Sequence, residues 1–355
     1  MGKIIKIIGK VLLALLCLIL LFLGIVFVYH RIMLGKEKGL ISEPLGEMTE
    51  VDGRQMCVYT EGSGEHTIVF MSGYGTPSPI LDFRPLYSRL AGDFRIVVVE
   101  KFGYGFSDET DDPRDIDTML DQTRKAVAGA GIDGPFILCP HSASGLEAIY
   151  WAQKYPEEIE GIAALDMAMP GYHDETGYSI FEDKAMRFIT NSGLLRILPA
   201  DSLPFAFNSP ELTDAEKAQY KAIMYARRGS ATMIHEAEWC QRNVETIANN
   251  DAPTVPMLFF ISTQQAETMF PSDPQKYLDL PRSYTDDQAE YIETDLGHYF
   301  HVEDPDFAAS EIRRFIEKTF PSLRSAVTVQ PSLSQRSFTT YSPSPEPPAV
   351  RASMR

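Results

Sequence analysis

Ser142 stands where an apolar run, Phe136-Ile-Leu-Cys-Pro140, gives way without a linker to the helix-prone stretch Gly145-Leu-Glu-Ala-Ile-Tyr-Trp151. A strand that turns abruptly into a helix lifts the side chain at the corner clear of the backbone, where a base can reach it. A hydroxyl presented this way becomes a nucleophile once its proton is taken. The turn is tight, so the residues two before and two after the serine have to be small, as in the pattern G-x-S-x-G. Here Pro140, His141, Ala143 and Ser144 surround Ser142, and Gly145 comes next. Both outer glycines are replaced. Ser144 is still small, and a proline at the end of a strand gives up only one hydrogen-bond donor. Framing the corner on Ser144 instead would put Leu146 where a small residue is needed, so the spacing selects Ser142.

The elements that position this corner are legible from the apolar pattern. Thr67 to Met71, Arg95 to Val99, Phe136 to Cys139, Gly161 to Leu165 and Pro256 to Ile261 are short continuous apolar runs of strand length. Unbroken rather than alternating apolar strands belong to a parallel sheet covered on both faces. Helical patterns at Arg84 to Ala91, Thr118 to Ala130 and Gly145 to Tyr155 separate them, which predicts a right-handed α/β sheet. Met48 to Thr60 reads as a hairpin around Asp52-Gly53, and a final strand near Gln288 to Glu293 leads to Gly297-His298. The helix after it, Asp306 to Lys318, carries Ile312, Phe315 and Ile316 at helical spacing. About 90 residues separate Leu165 from Pro256, far more than a crossover needs. Helical stretches near Tyr178 to Asn191, Thr213 to Arg228 and Ala231 to Ala248 fill that gap and predict an inserted helical cap over the sheet edge.

Four stretches in this order carry a resemblance. Pro140-His-Ser-Ala-Ser-Gly-Leu-Glu-Ala148 resembles the G-H-S-x-G-G-L-x-A elbow of the α/β-hydrolase fold superfamily. Ser72-Gly-Tyr-Gly75 resembles its H-G-x-G oxyanion loop, with serine in place of histidine. Glu100-Lys-Phe-Gly-Tyr-Gly-Phe-Ser-Asp108 resembles its D-x-x-G-x-G-x-S loop, and Gly297-His-Tyr-Phe-His-Val-Glu-Asp-Pro305 its G-H-x-x-x-x-E-x-P loop. The likeness covers residues 48 to 320 and is specific to the superfamily, not to a substrate. It implies an α/β-hydrolase fold with a mostly parallel central sheet flanked by helices, and a nucleophile–histidine–acid triad. The epoxide hydrolases and haloalkane dehalogenases that resemble this chain use an aspartate nucleophile, so a serine points instead to ester, amide or thioester chemistry.

The base is then His298, in a glycine-flanked loop after the last strand, where its ring can meet Ser142 across the sheet edge. An imidazole titrates near neutrality and can take a proton and return it. Of the other histidines, His30 borders an apolar run, His66 precedes a strand, His173 and His235 fall in the cap, and His301 reads as structural. His141 is expected to point away from the nucleophile by strand alternation. In most of the superfamily the acid follows the strand corresponding to Met257 to Ile261. Here that place holds Ser262-Thr-Gln-Gln-Ala-Glu267, and glutamines cannot supply the charge an imidazolium needs. Asp166, at the end of the preceding strand, can; certain haloalkane dehalogenases carry their acid there. Glu267 is the second candidate and Asp295 the third. The backbone N–H groups of Ala143 and Tyr74 are the expected oxyanion donors, each typically worth about 3 kcal/mol.

Composition bounds the rest. The chain has 355 residues, 49 acidic against 32 basic, for a net charge of −17. An acidic surface repels nucleic acid and anionic lipid, and no basic stripe is present, so a nucleic-acid partner is discounted. Cys17, Cys57, Cys139 and Cys240 form neither a disulfide framework nor a C-x-x-C pair. Gly103-Tyr-Gly105 lacks the third glycine of a dinucleotide loop, so dinucleotide binding is discounted. The resemblance to serine hydrolases of this fold implies neither a metal nor an organic cofactor. Val11 to Tyr29 is an uncharged run of 19 residues, followed by Tyr29-His-Arg-Ile-Met rather than a small-residue cleavage site. At 1.5 Å per residue it nearly spans a hydrocarbon core of about 30 Å. Lysines 3, 6 and 10 before it balance Arg31, Lys36 and Lys38 after it, so charge does not set its orientation.

The expected organisation is therefore a basic segment over 1–10, a transmembrane anchor over 11–29, a polar linker over 30–47, a core over 48–169 and 254–320, a cap over 170–253, and a Pro/Ser-rich disordered tail over 321–355. The expected protein is a membrane-anchored serine hydrolase of a small-molecule ester or acyl substrate, with its domain on the outer face. A non-catalytic binding protein on the same fold is the alternative.

Overall fold

A computed structural model describes residues 2–172, 180–198, 204–285 and 289–321. Its centre is one eight-stranded sheet in the order β1-β2-β4-β3-β5-β6-β7-β8. β1 (Glu47–Val51) and β2 (Arg54–Glu61) are the antiparallel edge. Their two-residue turn has positive φ at Asp52 (51°) and Gly53 (80°), the twist that a tight hairpin requires. β3 (Thr67–Met71), β4 (Arg95–Glu100), β5 (Phe136–Pro140), β6 (Ile159–Leu165), β7 (Met257–Ser262) and β8 (Ala289–Thr294) run parallel to one another.

The apolar runs are continuous because both faces are covered. In β3, Val69 packs into one core layer while Ile68 and Phe70 pack into the other; in β7, Phe259 opposes Leu258 and Phe260 in the same way. Successive side chains leave opposite faces of a strand, so a central strand can afford no polar position. The flanking helices are α2 (Pro79–Asp82), α3 (Arg84–Leu90), α4 (Ile116–Gly129) and α5 (Ser144–Lys154). Asp115 caps α4 by accepting the Thr118 N–H at 3.0 Å, and Trp151 of α5 is fully buried against Phe136.

The cap comprises α6 (Ile180–Ser192), a 3₁₀ turn (Leu194–Ile197), α7 (Asp214–Arg227) and α8 (Ala231–Ala248). A reciprocal capping box between Thr213 and Glu216 starts α7. Polar contacts fasten α8 to the loop after β4 and to the start of α4: Thr232 Oγ1 accepts the Thr110 N–H at 2.9 Å, and Asn243 Oδ1 accepts the Ile116 N–H at 2.9 Å. Between β7 and β8 lie α9 (Thr263–Met269) and α10 (Pro274–Tyr284), neither of which the apolar pattern announced. In α9 only Ala266 is buried, and α10 opens on Pro274 at its first turn and carries Pro281 within it. α11 (Phe300–Glu303) and α12 (Pro305–Thr319) complete the chain's described part.

The first helix departs from expectation. α1 is continuous from Gly2 to Ile41, so residues 31–41, read as a polar linker, are helical. Tertiary contact explains this. Val26 and His30 are buried on a stripe that continues through half-buried Met33, Glu37 and Ile41, the spacing of one helix face. Arg196 of the cap donates from Nε to His30 Nδ1 at 2.9 Å and from Nη1 to Glu37 Oε1 at 2.8 Å. The tail over 322–355 and His173 lie outside the described residues.

Candidate active site

The β5–α5 corner is built around Ser142, whose φ of 55° lies in the left-handed region that a non-glycine residue occupies at a cost of about 1–3 kcal/mol. Its neighbours hold it there. The Ser142 carbonyl accepts the Ala168 N–H at 2.7 Å and the Gly145 N–H at 3.0 Å. Ser144, the other serine of the corner, is buried and fully used: its Oγ sits 2.6 Å from the Met71 carbonyl and 2.9 Å from the His141 carbonyl, and accepts the His141 N–H at 3.1 Å. Two glycines are required by contact. A Cβ on Gly145 would lie 2.2 Å from the Ala168 carbonyl oxygen, and one on Gly73 would lie 2.7 Å from Ser142 Cβ. The glycine that the corner needs on its far side is thus one position later than the usual spacing.

His298 and Asp166, 132 positions apart in the chain, meet: His298 Nδ1 lies 2.6 Å from Asp166 Oδ2. The Asp166 side chain is 1% exposed and that of His298 20%. Asp166 has φ 45°, a second strained corner immediately after β6. Its Oδ1 accepts the Ser262 N–H at 3.0 Å and the Tyr277 hydroxyl at 3.0 Å. Three donors thus converge on the Asp166 carboxylate, and a proton on His298 Nδ1 leaves Nε2 with a lone pair. Glu267 and Asp295 are both exposed, away from this buried pair.

The surroundings of His298 correct one expectation. His141 does not turn away: its ring packs 4.5 Å from the His298 ring, and its Nε2 lies 3.1 Å from the His298 carbonyl oxygen. Strand alternation stops at the corner, where the reversal at Ser142 leaves the preceding side chain at the same sheet edge. His301 closes the cluster, 4.6 Å from His141 ring to ring. Burial, and secondarily the charge of His298, pushes the His301 imidazole down to about 3, and His141 well below its usual value. Two neutral imidazoles therefore flank the one that is paired with a carboxylate.

Tyr74 and Ala143 both border a cavity of about 60 Å³ between the corner and α8. Ala143 precedes the first turn of α5, where the helix dipole favours a negative charge. The cavity also exposes groups that no sequence motif announced. Lys101 Nζ pairs with Glu236 Oε1 at 2.7 Å, the Tyr104 hydroxyl donates to Glu236 Oε2 at 3.0 Å, and the Thr123 hydroxyl donates to Glu147 at 2.6 Å. Lys101 and Glu236 lie 135 positions apart. Tyr277 was also missed, because it sits on a helix that sequence periodicity did not reveal.

Comparison with known proteins agrees with this architecture. No family model matches the chain. The uncharacterized protein YbdG of Bacillus subtilis is 40% identical over 252 residues, covering 70% of this chain and 77% of the relative. The epoxide hydrolase VrEH1 from Vigna radiata superposes with a TM-score of 0.60 at 18% identity, covering 78% of this chain and 99% of its own. Cfl2 from Burkholderia cenocepacia superposes with a TM-score of 0.58 at 21% identity, covering 76% and 94%. At these identities the solved structures speak to the fold, and the chemistry has to be argued from the site.

Proposed function

Because the chain belongs to the α/β-hydrolase fold superfamily, we propose that it is a serine hydrolase that cleaves a carboxylic ester through an acyl-enzyme, with amides and thioesters as chemically related substrates. The observation that carries this reading is the buried Asp166–His298 hydrogen bond of 2.6 Å beside a serine held on a strained corner. Ser142 Oγ attacks the substrate carbonyl carbon while His298 Nε2 takes its proton. Asp166 holds the Nδ1–H and stabilises the imidazolium. The Ala143 and Tyr74 N–H groups receive the oxyanion. As the tetrahedral adduct collapses, the C–O bond to the alcohol breaks and His298 returns the proton to the leaving oxygen. Water, deprotonated by the same imidazole, then attacks the acyl carbon; the bond from that carbon to Ser142 Oγ breaks and the imidazolium returns the proton to Oγ, releasing the acid.

Labelling by a fluorophosphonate probe tests this. Strong labelling of the native chain that disappears in Ser142→Ala supports the enzyme. A well-folded chain that never labels supports the alternative, a binding protein on the same fold.

We also propose that α1 is an uncleaved single-pass anchor with the domain on the outer face of the membrane. It is the single described helix long and apolar enough to cross a bilayer, and its C-terminal half packs on the cap through Val26 and His30. A cleaved signal segment would not be expected to bury side chains against the folded domain. Protease protection of membrane vesicles of known sidedness tests the orientation, and the size of the mature chain tests cleavage.

A further inference from the structure

Among the described residues, every exposed large hydrophobic side chain outside α1 lies on one stretch of the cap: Phe181 (80% exposed), Phe188 (60%), Ile197 (52%) and Leu198 (44%). Phe181 and Phe188 are seven positions apart on α6 and share a helix face. Ile197 closes the 3₁₀ turn and Leu198 follows it. Bare aromatic and aliphatic side chains gathered on one segment of an otherwise well-covered, acidic domain mark a contact surface rather than scatter.

The position of this segment identifies its partner. Gly193, between α6 and the 3₁₀ turn, lies directly against α1: a Cβ there would sit 2.5 Å from His30 Cβ and 3.0 Å from the Val26 carbonyl oxygen. Arg196 in the turn bonds His30 and Glu37 on the same helix. The junction falls at the C-terminal end of the uncharged run Val11 to Tyr29. Val26 is three residues inside that end, about 5 Å at 1.5 Å per residue. An apolar segment fixed at that level meets the boundary between lipid headgroups and acyl chains, where amphipathic helices bury their apolar faces.

Resting on the anchor reading above, we propose that α6 and the 3₁₀ turn dock on the lipid surface beside α1, so that the site receives an ester partitioned into the bilayer. The cap connects the two places. α6 packs against α8, whose Glu236, Ala237 and Cys240 line the cavity next to Ala143. A lipid-soluble ester entering along the buried side of α6 therefore has one helix to pass before it meets the corner. The occupant is the bilayer itself, reached by continuity with α1.

The test uses the full chain in phosphatidylcholine nanodiscs, with a solvatochromic fluorophore on single cysteines and lipids brominated along the acyl chain. The native Cys17, exposed on α1, reports the anchor. With half-buried Cys240 replaced by Ser throughout and Cys57 and Cys139 buried, F188C and I197C, each in a Cys17→Ser background, report the cap at two independent exposed positions, and E317C in the same background, on the outer side of α12, reports bulk solvent. Blue-shifted emission at F188C and I197C, quenched about twofold by bromolipid as for groups 5–10 Å into the interface, is the expected result. Quenching at Cys17 with none at F188C and I197C overturns the docking while leaving the anchor. Blue-shifted emission there without bromolipid quenching assigns the patch to a protein contact such as a second copy, and also overturns it. No quenching at Cys17 overturns the anchor reading and the docking with it.

Discussion

His298 Nδ1 and Asp166 Oδ2 lie 2.6 Å apart although the carboxylate follows β6, one strand earlier than the place this fold commonly uses. At the usual place, the end of β7, Ser262 closes the strand and caps α9. Ser262 is not idle: its N–H holds the other oxygen of Asp166 at 3.0 Å. The end of β7 thus contributes a donor to the carboxylate that follows β6.

Asp166→Asn is expected to lower kcat for ester hydrolysis by about three to four orders of magnitude, because an amide cannot stabilise the imidazolium and favours the wrong tautomer. Thermal melts should show the fold retained, since the amide oxygen can still accept from Ser262. Glu267→Gln, on the exposed face of α9, should change kcat by less than about twofold, as an exposed group without contact to the site does. A comparable loss in Glu267→Gln would mean that the acid has been assigned to the wrong residue.

Tyr277→Phe removes one donor from the buried carboxylate while keeping the ring stacked 4.3 Å from Tyr172. A hydrogen bond to a charged group contributes about 1.5–3 kcal/mol. The expected outcome is a fall in kcat of between about tenfold and about a hundredfold, milder than Asp166→Asn, with a lower midpoint in urea. An unchanged kcat would show that Ser262 alone positions the acid.

Gly73→Ala places a methyl 2.7 Å from Ser142 Cβ and 3.1 Å from the His141 carbonyl oxygen. Both sides of that contact are stiff, one being backbone and the other a strained corner. Overpacking of this kind costs about 1–3 kcal/mol. Misplacement of the nucleophile by a fraction of an ångström should lower kcat/KM at least about tenfold. Steady-state kinetics with a soluble short-chain ester measure this directly.

Glu236→Ala strips the partner from Lys101, whose side chain is 7% exposed in a pair of 2.7 Å. Breaking a buried pair from one side costs about 3–5 kcal/mol, because the remaining charge stays desolvated. Equilibrium urea unfolding should show that loss, and Lys101→Met combined with Glu236→Leu should recover much of it. If the single variant is as stable as the native chain, the cap is held to the core by its other contacts.

His301 gives a pH dependence with a definite sign. Its folded-state value is about 3, against 6.5 for the free side chain, and burial is the main cause. Between those values the unfolded chain binds a proton that the folded chain refuses, so this group lowers stability as pH falls from 6.5 toward 3. The contribution is about 1.4 kcal/mol per pH unit within that window. His141 acts in the same direction, whereas buried Asp82 and Glu100, both raised to about 7 by desolvation, act in the opposite one and are stabilising when protonated. The discriminating measurement is therefore the difference between native and His301→Phe melting curves from pH 7 to pH 4. The gap should shift in favour of the variant as pH falls, and parallel curves would refute the assignment.

The sequence by itself determined the parts whose signal is local. The apolar runs marked the central strands because a strand covered on both faces admits no polar position. The Asp52-Gly53 turn followed from backbone sterics, and the small residues around Ser142 from the tightness of one corner. What only the tertiary structure decided depends on groups distant in the chain. Asp166 was one of three candidate acids, and only the folded sheet shows it 2.6 Å from His298 while Glu267 and Asp295 lie exposed. His141 follows an alternation rule that ends at the corner. Tyr277, Lys101 and Glu236 belong to no spacing, because their partners lie 111 and 135 positions away. α1 looked like a span and a loose linker, and became one helix because a stripe at helical spacing found the cap to pack against. Covalent geometry and side-chain period are written residue by residue, whereas the pairing of charges and the seating of rings are fixed only when the whole chain closes on itself.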